Sequence, residues 1–143
     1  MKVVFDTNII VSGLYSKRGA SFQLLRAALA GELSFAISPL LAFEYEGVLE
    51  KKIKDGFLKI SSKDCKKILS TLYPMATIVW MPIQIRPVLF DPADDKILEC
   101  AISGNCSHIL TFNKKHFPIE KTAPWNVDVM SAGEFLQHWR NKS

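Results

Sequence analysis

The sequence predicts an α/β sandwich built around a largely parallel sheet. Short β-like runs alternate along the chain with longer segments of helical periodicity, the pattern of parallel α/β folds. Of the 143 residues, 48% are hydrophobic, which is enough for a substantial core. The sequence contains no internal repeats, low-complexity tracts or linkers, so we expect residues 1–143 to form a single domain.

The first two predicted elements are a strand and a helix. Residues 2–5, KVVF, have the β-branched and aromatic composition of a buried strand. After a loop, Phe22 and Leu25 begin an apolar helix face. Ser21 is a plausible N-cap for this helix, and Gly31 is a C-terminal stop.

The central elements follow the same alternation. Residues 33–37, LSFAI, form the second predicted strand. Ser38 is a helix N-cap and Pro39 suits the first helical turn, so a helix begins there and extends to about Ile53. The next predicted elements are a lysine-rich helix at 62–73, a strand at 76–80, a helix at 92–104 and a strand at 108–112.

The last predicted pair is a strand within 126–130, NVDVM, and a short helix. Ser131 and Glu134 have the spacing of a capping box, in which each side chain accepts a hydrogen bond from the other residue's backbone amide.

Composition and charge exclude several classes of protein. The net charge is +4 and the pI is about 9.0, which suits a polyanionic partner without requiring one. The three cysteines have no paired spacing and predict neither a disulfide framework nor a thiolate metal site. Asp6 and Asn8 interrupt the apolar N-terminal run, and no apolar stretch approaches the length of about 20 residues that a membrane span needs. We therefore expect a soluble cytoplasmic protein with no membrane partner.

Asp6 directly follows the first predicted strand, in the sequence VFDTN. In open parallel sheets, sites form outside the carboxyl ends of the strands. Asp6 is therefore the first candidate site residue.

Glu44 is the second candidate. In a helix, its neighbours three and four positions away are all non-polar: Leu40, Leu41, Gly47 and Val48. A carboxylate on an apolar face is unfavourable unless it is paired or solvated. A salt bridge to a nearby lysine or arginine, or a position at the exposed edge of that face, is the alternative to a role in a site.

The segment DPADD, residues 91–95, supplies the third acid. Aspartates suit the first turn of a helix as caps, which accounts for Asp91 and Asp94. Asp95 is followed at helical spacing by Leu98 and Ile102, so we expect its side chain to turn inward.

These acids and the polar segment Thr111–Asn113, which ends another strand, predict one site. Two carboxylates about 4 Å apart repel by about 4 kcal/mol at an effective dielectric constant of about 20, and a divalent cation removes that repulsion. Oxygen ligands without a cysteine or histidine pair favour Mg²⁺ or Mn²⁺ over zinc. Because such a cluster is repulsive without its cation, Glu44→Gln is expected to leave the metal-free protein at least as stable as the parent.

Such a site suits phosphodiester hydrolysis. The cation would clamp the phosphate and activate a water molecule, and a carboxylate would serve as general base. Four basic residues are candidates to hold flanking phosphates: Lys17, Arg18, Lys114 and Lys115. The alternative for each of them is a solvated surface charge.

The order of these motifs resembles the PIN domain family. The motifs are V-x-D-T-N, S-P-x-x-x-x-E-Y-x-x-V-L, D-P-x-D-D-x-x-L-x-x-A, I-L-T-x-N-x-x-x-F and V-M-S-x-x-E-F-L. Each motif is short, but their order and spacing cover nearly the whole chain. The sequence is most similar to the branch that contains the toxin components of bacterial and archaeal toxin–antitoxin pairs, the VapC-type toxins.

This resemblance implies a Mg²⁺- or Mn²⁺-dependent endoribonuclease with a three-layer α/β/α sandwich, acting on single-stranded or structured RNA. It also implies a homodimer and an antitoxin whose segment enters the active-site groove. The three acids of the family fall on Asp6, Glu44 and Asp95.

The positions of a fourth family acid hold Asn113 and His116. Asn113 would be a weak metal ligand without charge, so one firmly held ion is expected. The remaining residues implied at the site would hydrogen-bond and orient the carboxylates: Thr7, Asn8, Asp94 and Thr111.

Two other functions are compatible with the sequence. A catalytically weak or inactive PIN-fold module that binds RNA or an antitoxin would account for the missing fourth acid. A phosphatase of the haloacid dehalogenase type would begin with a motif similar to FDTN, but Asn8 occupies the position of its general-acid aspartate and cannot donate a proton in that way.

Overall fold

The computed structural model of the protein describes residues 1–86 and 88–142. In this part of the chain, five strands form one sheet in which all pairs are parallel. The strands are β1 (Lys2–Phe5), β2 (Ser34–Ile37), β3 (Thr77–Ile78), β4 (His108–Leu110) and β5 (Asp128–Met130). Their order in space is β3-β2-β1-β4-β5.

Seven α-helices connect and cover the strands within the described residues. They are α1 (Thr7–Tyr15), α2 (Ala20–Leu29), α3 (Pro39–Lys54), α4 (Ser62–Leu72), α5 (Pro92–Ser103), α6 (Ile119–Thr122) and α7 (Ala132–Lys142). Helix α5 packs on β1, β2 and β4, while α2 contacts α1, α4 and α7. The predicted α/β/α sandwich with a parallel sheet is confirmed.

The core lies between the helices and the sheet. Val3, Val4 and Phe5 of β1 are almost completely buried, because central parallel strands are covered on both faces and therefore read as continuous apolar runs. All three cysteines are free and buried, in agreement with the absence of paired spacing. Among the described residues, none of the helices combines the length and the apolar character that crossing a membrane requires.

The direction of chain progression changes at β1. The chain moves from β1 to β2 and β3 on one side, and then returns to add β4 and β5 on the other side. Phe5 and Leu110, the last residues of β1 and β4, are paired in register. The amide of Asp6 donates a hydrogen bond of 2.9 Å to the carbonyl of Leu110. The carboxyl ends of these two strands are thus adjacent, which is where open α/β sheets form binding sites.

The structure differs from the predicted elements in two missing helices and in some boundaries. The sequence predicted neither helix α1 nor the short helix α6. Helix α2 has Gly19 as its N-cap, so Ser21 lies inside the helix and does not cap it. Strand β3 has two residues, fewer than the predicted 76–80. The Ser38 cap of α3 and the capping box of α7 are confirmed by hydrogen bonds of 2.9–3.2 Å.

Candidate functional site

Asp6 lies at the junction of β1 and α1. It is the N-cap residue of α1, yet its side chain makes no capping hydrogen bond and is largely buried. Its Oδ2 accepts a hydrogen bond of 2.7 Å from the hydroxyl of Thr111 and one of 3.4 Å from the side-chain Nδ2 of Asn8. Burial raises the pKa of Asp6, the bonds from Thr111 and from the backbone of Thr7 oppose this, and the charge of Glu44 adds to it.

Polar residues after the two strands connect the carboxylates to the backbone. The hydroxyl of Thr111 accepts a hydrogen bond of 3.0 Å from the amide of Asn113, and the side chain of Asn8 accepts one of 3.3 Å from the amide of Phe112. The hydroxyl of Thr7 donates to Oε2 of Glu44. The structure therefore places Thr7, Asn8 and Thr111 against the acids that they were expected to orient.

Glu44 lies at the edge of the buried face of α3. That face consists of Leu41, Tyr45 and Leu49. The Glu44 side chain is 23% exposed, and its Oε1 is 2.7 Å from Nζ of Lys96 in α5. Of its expected apolar neighbours, Leu40 and Gly47 are exposed, so the predicted apolar stripe around Glu44 is not present. Glu44 thus forms a salt bridge at the edge of this helix face, as in the alternative that the sequence left open.

Asp94 lies in the first turn of α5 and is 13% exposed. Burial raises its pKa to about 6, with further increases from the charges of Asp6, Asp91 and Glu44 and a decrease from His116. Within the described residues its Oδ2 is buried without a hydrogen-bond partner, and lies 3.4 Å from Nδ1 of His116. The carboxylates of Asp6, Glu44 and Asp94 thus act on one another, and we call these three residues the acidic centre.

Asp95, which the sequence suggested as the third acid, is instead directed into the core. It is completely buried, and its Oδ1 accepts a hydrogen bond of 2.9 Å from the amide of Leu89. Consecutive residues in an α-helix point in directions about 100° apart, and in α5 this difference turns Asp94 toward the acidic centre and Asp95 into the core. The sequence indicated two adjacent acids but did not reveal the rotation of α5 about its axis.

Asp95 belongs to a row of acceptors along one face of α5. Glu99 accepts a hydrogen bond of 3.0 Å from the amide of Ile85 and pairs with Arg86 at 2.8 Å. One turn later, the hydroxyl of Ser103 accepts a bond of 2.8 Å from the amide of Ile83. Residues four apart lie on one helix face, so this row of acceptors attaches the segment that precedes α5 to the helix.

Asn113 and His116, the residues at the two possible fourth-acid positions, have different contacts with the acidic centre. Asn113 is exposed, and the contact that ties it to the site is made by its backbone amide with Thr111. His116 is the residue that lies beside Asp94, and its charge lowers the pKa values of both Asp6 and Asp94.

The four basic residues do not form one surface. Lys115 lines a cavity of about 530 Å³ together with Asp94 and His116. The neighbouring Lys114 is paired with Glu134 of α7 at 2.9 Å. Lys17 and Arg18 follow the C-terminus of α1, roughly 13 Å along the helix from the acidic centre at its N-terminus.

The family model of the PIN domain matches residues 2–115 of the chain. The chain belongs to the PIN domain family. PIN domains are generally nucleases that use divalent metal ions. No match was found among curated proteins.

The PIN fold of this chain is similar to that of a solved toxin–antitoxin structure. That solved structure is the crystal structure of VapBC2 from Rickettsia felis bound to a DNA fragment from their promoter. The alignment covers 91% of this chain and 98% of that chain, with a TM-score of 0.59 and 15% sequence identity. At this identity the similarity establishes the shared fold.

The acidic centre of this PIN domain has the donor chemistry of a divalent cation site. Asp6 and Asp94 offer carboxylate oxygens whose pKa values are raised by burial and by neighbouring negative charge. In residues 1–86 and 88–142, however, no three Asp, Glu, His or Cys side chains are arranged around one ion position. Mg²⁺ is commonly bound by one or two carboxylates with water and substrate phosphates, so two acids suffice. Glu44 would join them only by leaving Lys96.

Proposed function

We propose that this PIN domain is a Mg²⁺- or Mn²⁺-dependent endoribonuclease that hydrolyses phosphodiester bonds of single-stranded or structured RNA. The observation that carries this proposal is the acidic centre at the adjacent carboxyl ends of β1 and β4. Ligands of open α/β sheets bind at such a change of direction. Negative charges held close together in a partly buried site are favourable when a cation neutralises them.

The roles of the residues follow from their contacts. Asp6 and Asp94 would hold the cation, which when bound polarises the phosphate and makes a water molecule more acidic. Thr111 and Asn8 fix the orientation of Asp6. Each oxygen of Glu44 has its own partner, Lys96 for Oε1 and Thr7 for Oε2, so this carboxylate is held in place to position the attacking water.

A metal-dependent cleavage assay tests the proposal. Purified protein is incubated with single-stranded RNA and Mn²⁺, and cleavage is followed on a gel. Asp6→Asn, Glu44→Gln and Asp94→Asn are each expected to lose more than about 100-fold in rate, since changes around metal ligands commonly have effects of this size. EDTA should abolish cleavage.

Asp55→Asn is the matched control for these variants. Asp55 follows the C-terminus of α3, is exposed and accepts a hydrogen bond of 3.0 Å from the amide of Phe57. An asparagine side chain can accept the same bond, so this variant should cleave RNA at the parent rate. Cleavage that survives Asp6→Asn would come from a contaminating nuclease and would refute the proposal.

We infer further that the protein is the cytoplasmic toxin of a toxin–antitoxin pair and forms a homodimer. Membership of the PIN family and the fold shared with the VapBC2 structure support this inference. Induced expression in a bacterial host should arrest growth, whereas expression of Asp6→Asn should not. Light scattering coupled to size-exclusion chromatography should give a mass near twice 16.1 kDa.

A second candidate is a catalytically weak or inactive module that binds RNA or an antitoxin. The ion pair of Glu44 with Lys96 favours it, because this pair keeps one acid from reaching a cation. RNA binding without cleavage at any Mn²⁺ or Mg²⁺ concentration would establish this alternative. Phosphate release from small monoesters would instead support a phosphatase, for which Asn8 offers no general acid.

A further inference from the structure

Phe90 is a fully exposed aromatic residue beside the acidic centre. With Asp94, Lys115 and His116 it lines the cavity of about 530 Å³. A single exposed apolar side chain is ordinary on a protein surface. Phe90 differs because an aromatic ring, an ammonium group and a carboxylate of the acidic centre share one concave surface.

The backbone around Phe90 is anchored on both sides. Leu89 is buried, and its amide donates the 2.9 Å hydrogen bond to the buried carboxylate of Asp95. On the other side, Asp91 begins α5 as its N-cap. The ring is therefore presented to solvent between two fixed points. The buried carboxylate of Asp95 therefore has a structural role, because it holds Leu89, the residue before Phe90, in place.

We propose that Phe90 is a stacking platform for an unpaired base of RNA, next to the phosphate bound at the acidic centre. Lys115 would contact a neighbouring phosphate. This inference rests on the proposed function and specifies its substrate as single-stranded RNA. Bases of a duplex are stacked on each other and are not available to a side chain, whereas splayed bases of single strands stack on aromatic rings.

The ammonium group beside this ring favours RNA over a protein ligand there. Lys115 is exposed on the same cavity, so a positive charge flanks the ring where a polyanionic backbone would pass. Two carboxylates, Asp91 and Asp94, line the cavity as well. The negative charge of Asp94 would be offset by the cation that the acidic centre binds, while Asp91 accepts the capping hydrogen bond from the amide of Ala93.

Fluorescence of 2-aminopurine tests the platform independently of cleavage. Single-stranded RNA carrying this base analogue at successive positions is titrated in Mn²⁺ into Glu44→Gln protein, which should not cleave RNA but keeps Asp6 and Asp94 to hold the cation. This substitution is used alone or combined with Phe90→Leu or Phe90→Trp. We expect quenching at one position, loss of that quenching with about tenfold weaker binding in Phe90→Leu, and retention of both in Phe90→Trp. Leucine is the matched control, because it keeps an apolar side chain without the ring, and removal of an exposed ring should leave the melting temperature unchanged.

The outcomes separate the two proposals. Equal quenching and affinity in Phe90→Leu and its parent would overturn the platform and leave a protein partner as the ligand of this ring, as would equal binding of duplex and single-stranded RNA. If quenching depends on Phe90 while the unmutated protein cleaves no RNA in Mn²⁺, the stacking platform is supported and the nuclease function is refuted.

Discussion

Three aspartates of one short segment have three different environments. Asp91 caps α5, Asp94 belongs to the acidic centre, and Asp95 is buried beneath Leu89. The sequence indicated that this segment supplies an acid to the candidate site, but it could not distinguish Asp94 from Asp95. Adjacent helical residues differ by about 100° in direction, and only the packing of α5 against the sheet fixes which one faces the strand ends.

Asp94→Asn is expected to stabilise the metal-free protein at neutral pH. The pKa of Asp94 in the folded protein is about 6, above its unfolded value, so the folded parent loses stability as pH rises from about 4 through about 6. Removing the charge should add about 1–2 kcal/mol to the free energy of unfolding above pH 7, since one pKa unit corresponds to about 1.4 kcal/mol. Urea unfolding in EDTA from pH 5 to pH 8 measures this, and an identical pH slope in the variant would contradict it.

Asp95→Ala should have the opposite effect. It leaves the amide of Leu89 buried without its acceptor, which costs about 1–3 kcal/mol. The same urea experiment gives the change in unfolding free energy, and limited proteolysis should cut the segment at 81–90 faster. If Asp95→Ala were as stable as the parent, the row of acceptors on α5 would not be what holds this segment.

The salt bridge of Glu44 changes the expected stability of Glu44→Gln, for which the sequence alone predicts no loss. Glu44→Gln removes the attraction to Lys96 as well as the repulsion from the other acids, so we expect the metal-free variant to be less stable by about 0.5–1 kcal/mol. A double-mutant cycle with Lys96→Met isolates the pair. Urea unfolding of the four proteins in EDTA should give a favourable coupling energy, and strictly additive effects would show that the pair contributes nothing.

At the scale of the elements, prediction succeeded where the signals are local. The capping box of α7 was correctly predicted because Ser131 and Glu134 carry the capping information themselves. Helix α1 was missed because Ile9, Ile10 and Val11 are β-branched and lower its helical propensity. Its stability comes from packing against α2, and such contacts between separate helices are not visible in a local sequence pattern.

The packing of α1 on α2 depends on a glycine. A Cβ at Gly13 would lie 3.1 Å from Cδ2 of Leu25 and 3.2 Å from the carbonyl of Ser21, so Gly13→Ala is expected to destabilise the protein by about 1–3 kcal/mol. Gly47 in α3 is the matched control, because a Cβ there would meet nothing within 4 Å. Gly47→Ala should stabilise by about 0.5–1 kcal/mol through helix propensity. Thermal unfolding compares the two, and equal changes would exclude close helix packing as the cause.

At the scale of the whole molecule, the alternation of strands and helices was sufficient to predict the fold class. The contact between Asp6 and Thr111 could be expected in outline, since each residue follows a strand of one parallel sheet. The spatial order of the strands was not predictable, because it depends on which strand ends the chain brings together after long connections. The exact partners of each acid depend on that order.

Cation binding should stabilise the protein as a whole. A ligand that binds only the folded state adds about 2.7 kcal/mol at a concentration 100 times its dissociation constant. Mn²⁺ is therefore expected to raise the melting temperature of the parent and of Asp95→Asn, but not that of Asp6→Asn. Differential scanning fluorimetry with and without EDTA measures the shift. Loss of the shift in Asp95→Asn alone would return Asp95 to the set of metal ligands.

The hydrogen bond between Thr111 and Asp6 joins residues 105 positions apart. During synthesis the ribosome therefore releases Asp6 long before the residue that orients it, and the emerging chain must wait for β4 before its two halves can close. A nascent copy therefore has no assembled acidic centre with an oriented Asp6 for most of its time in translation. If the protein cuts RNA, this order of assembly protects the message from which it is being read.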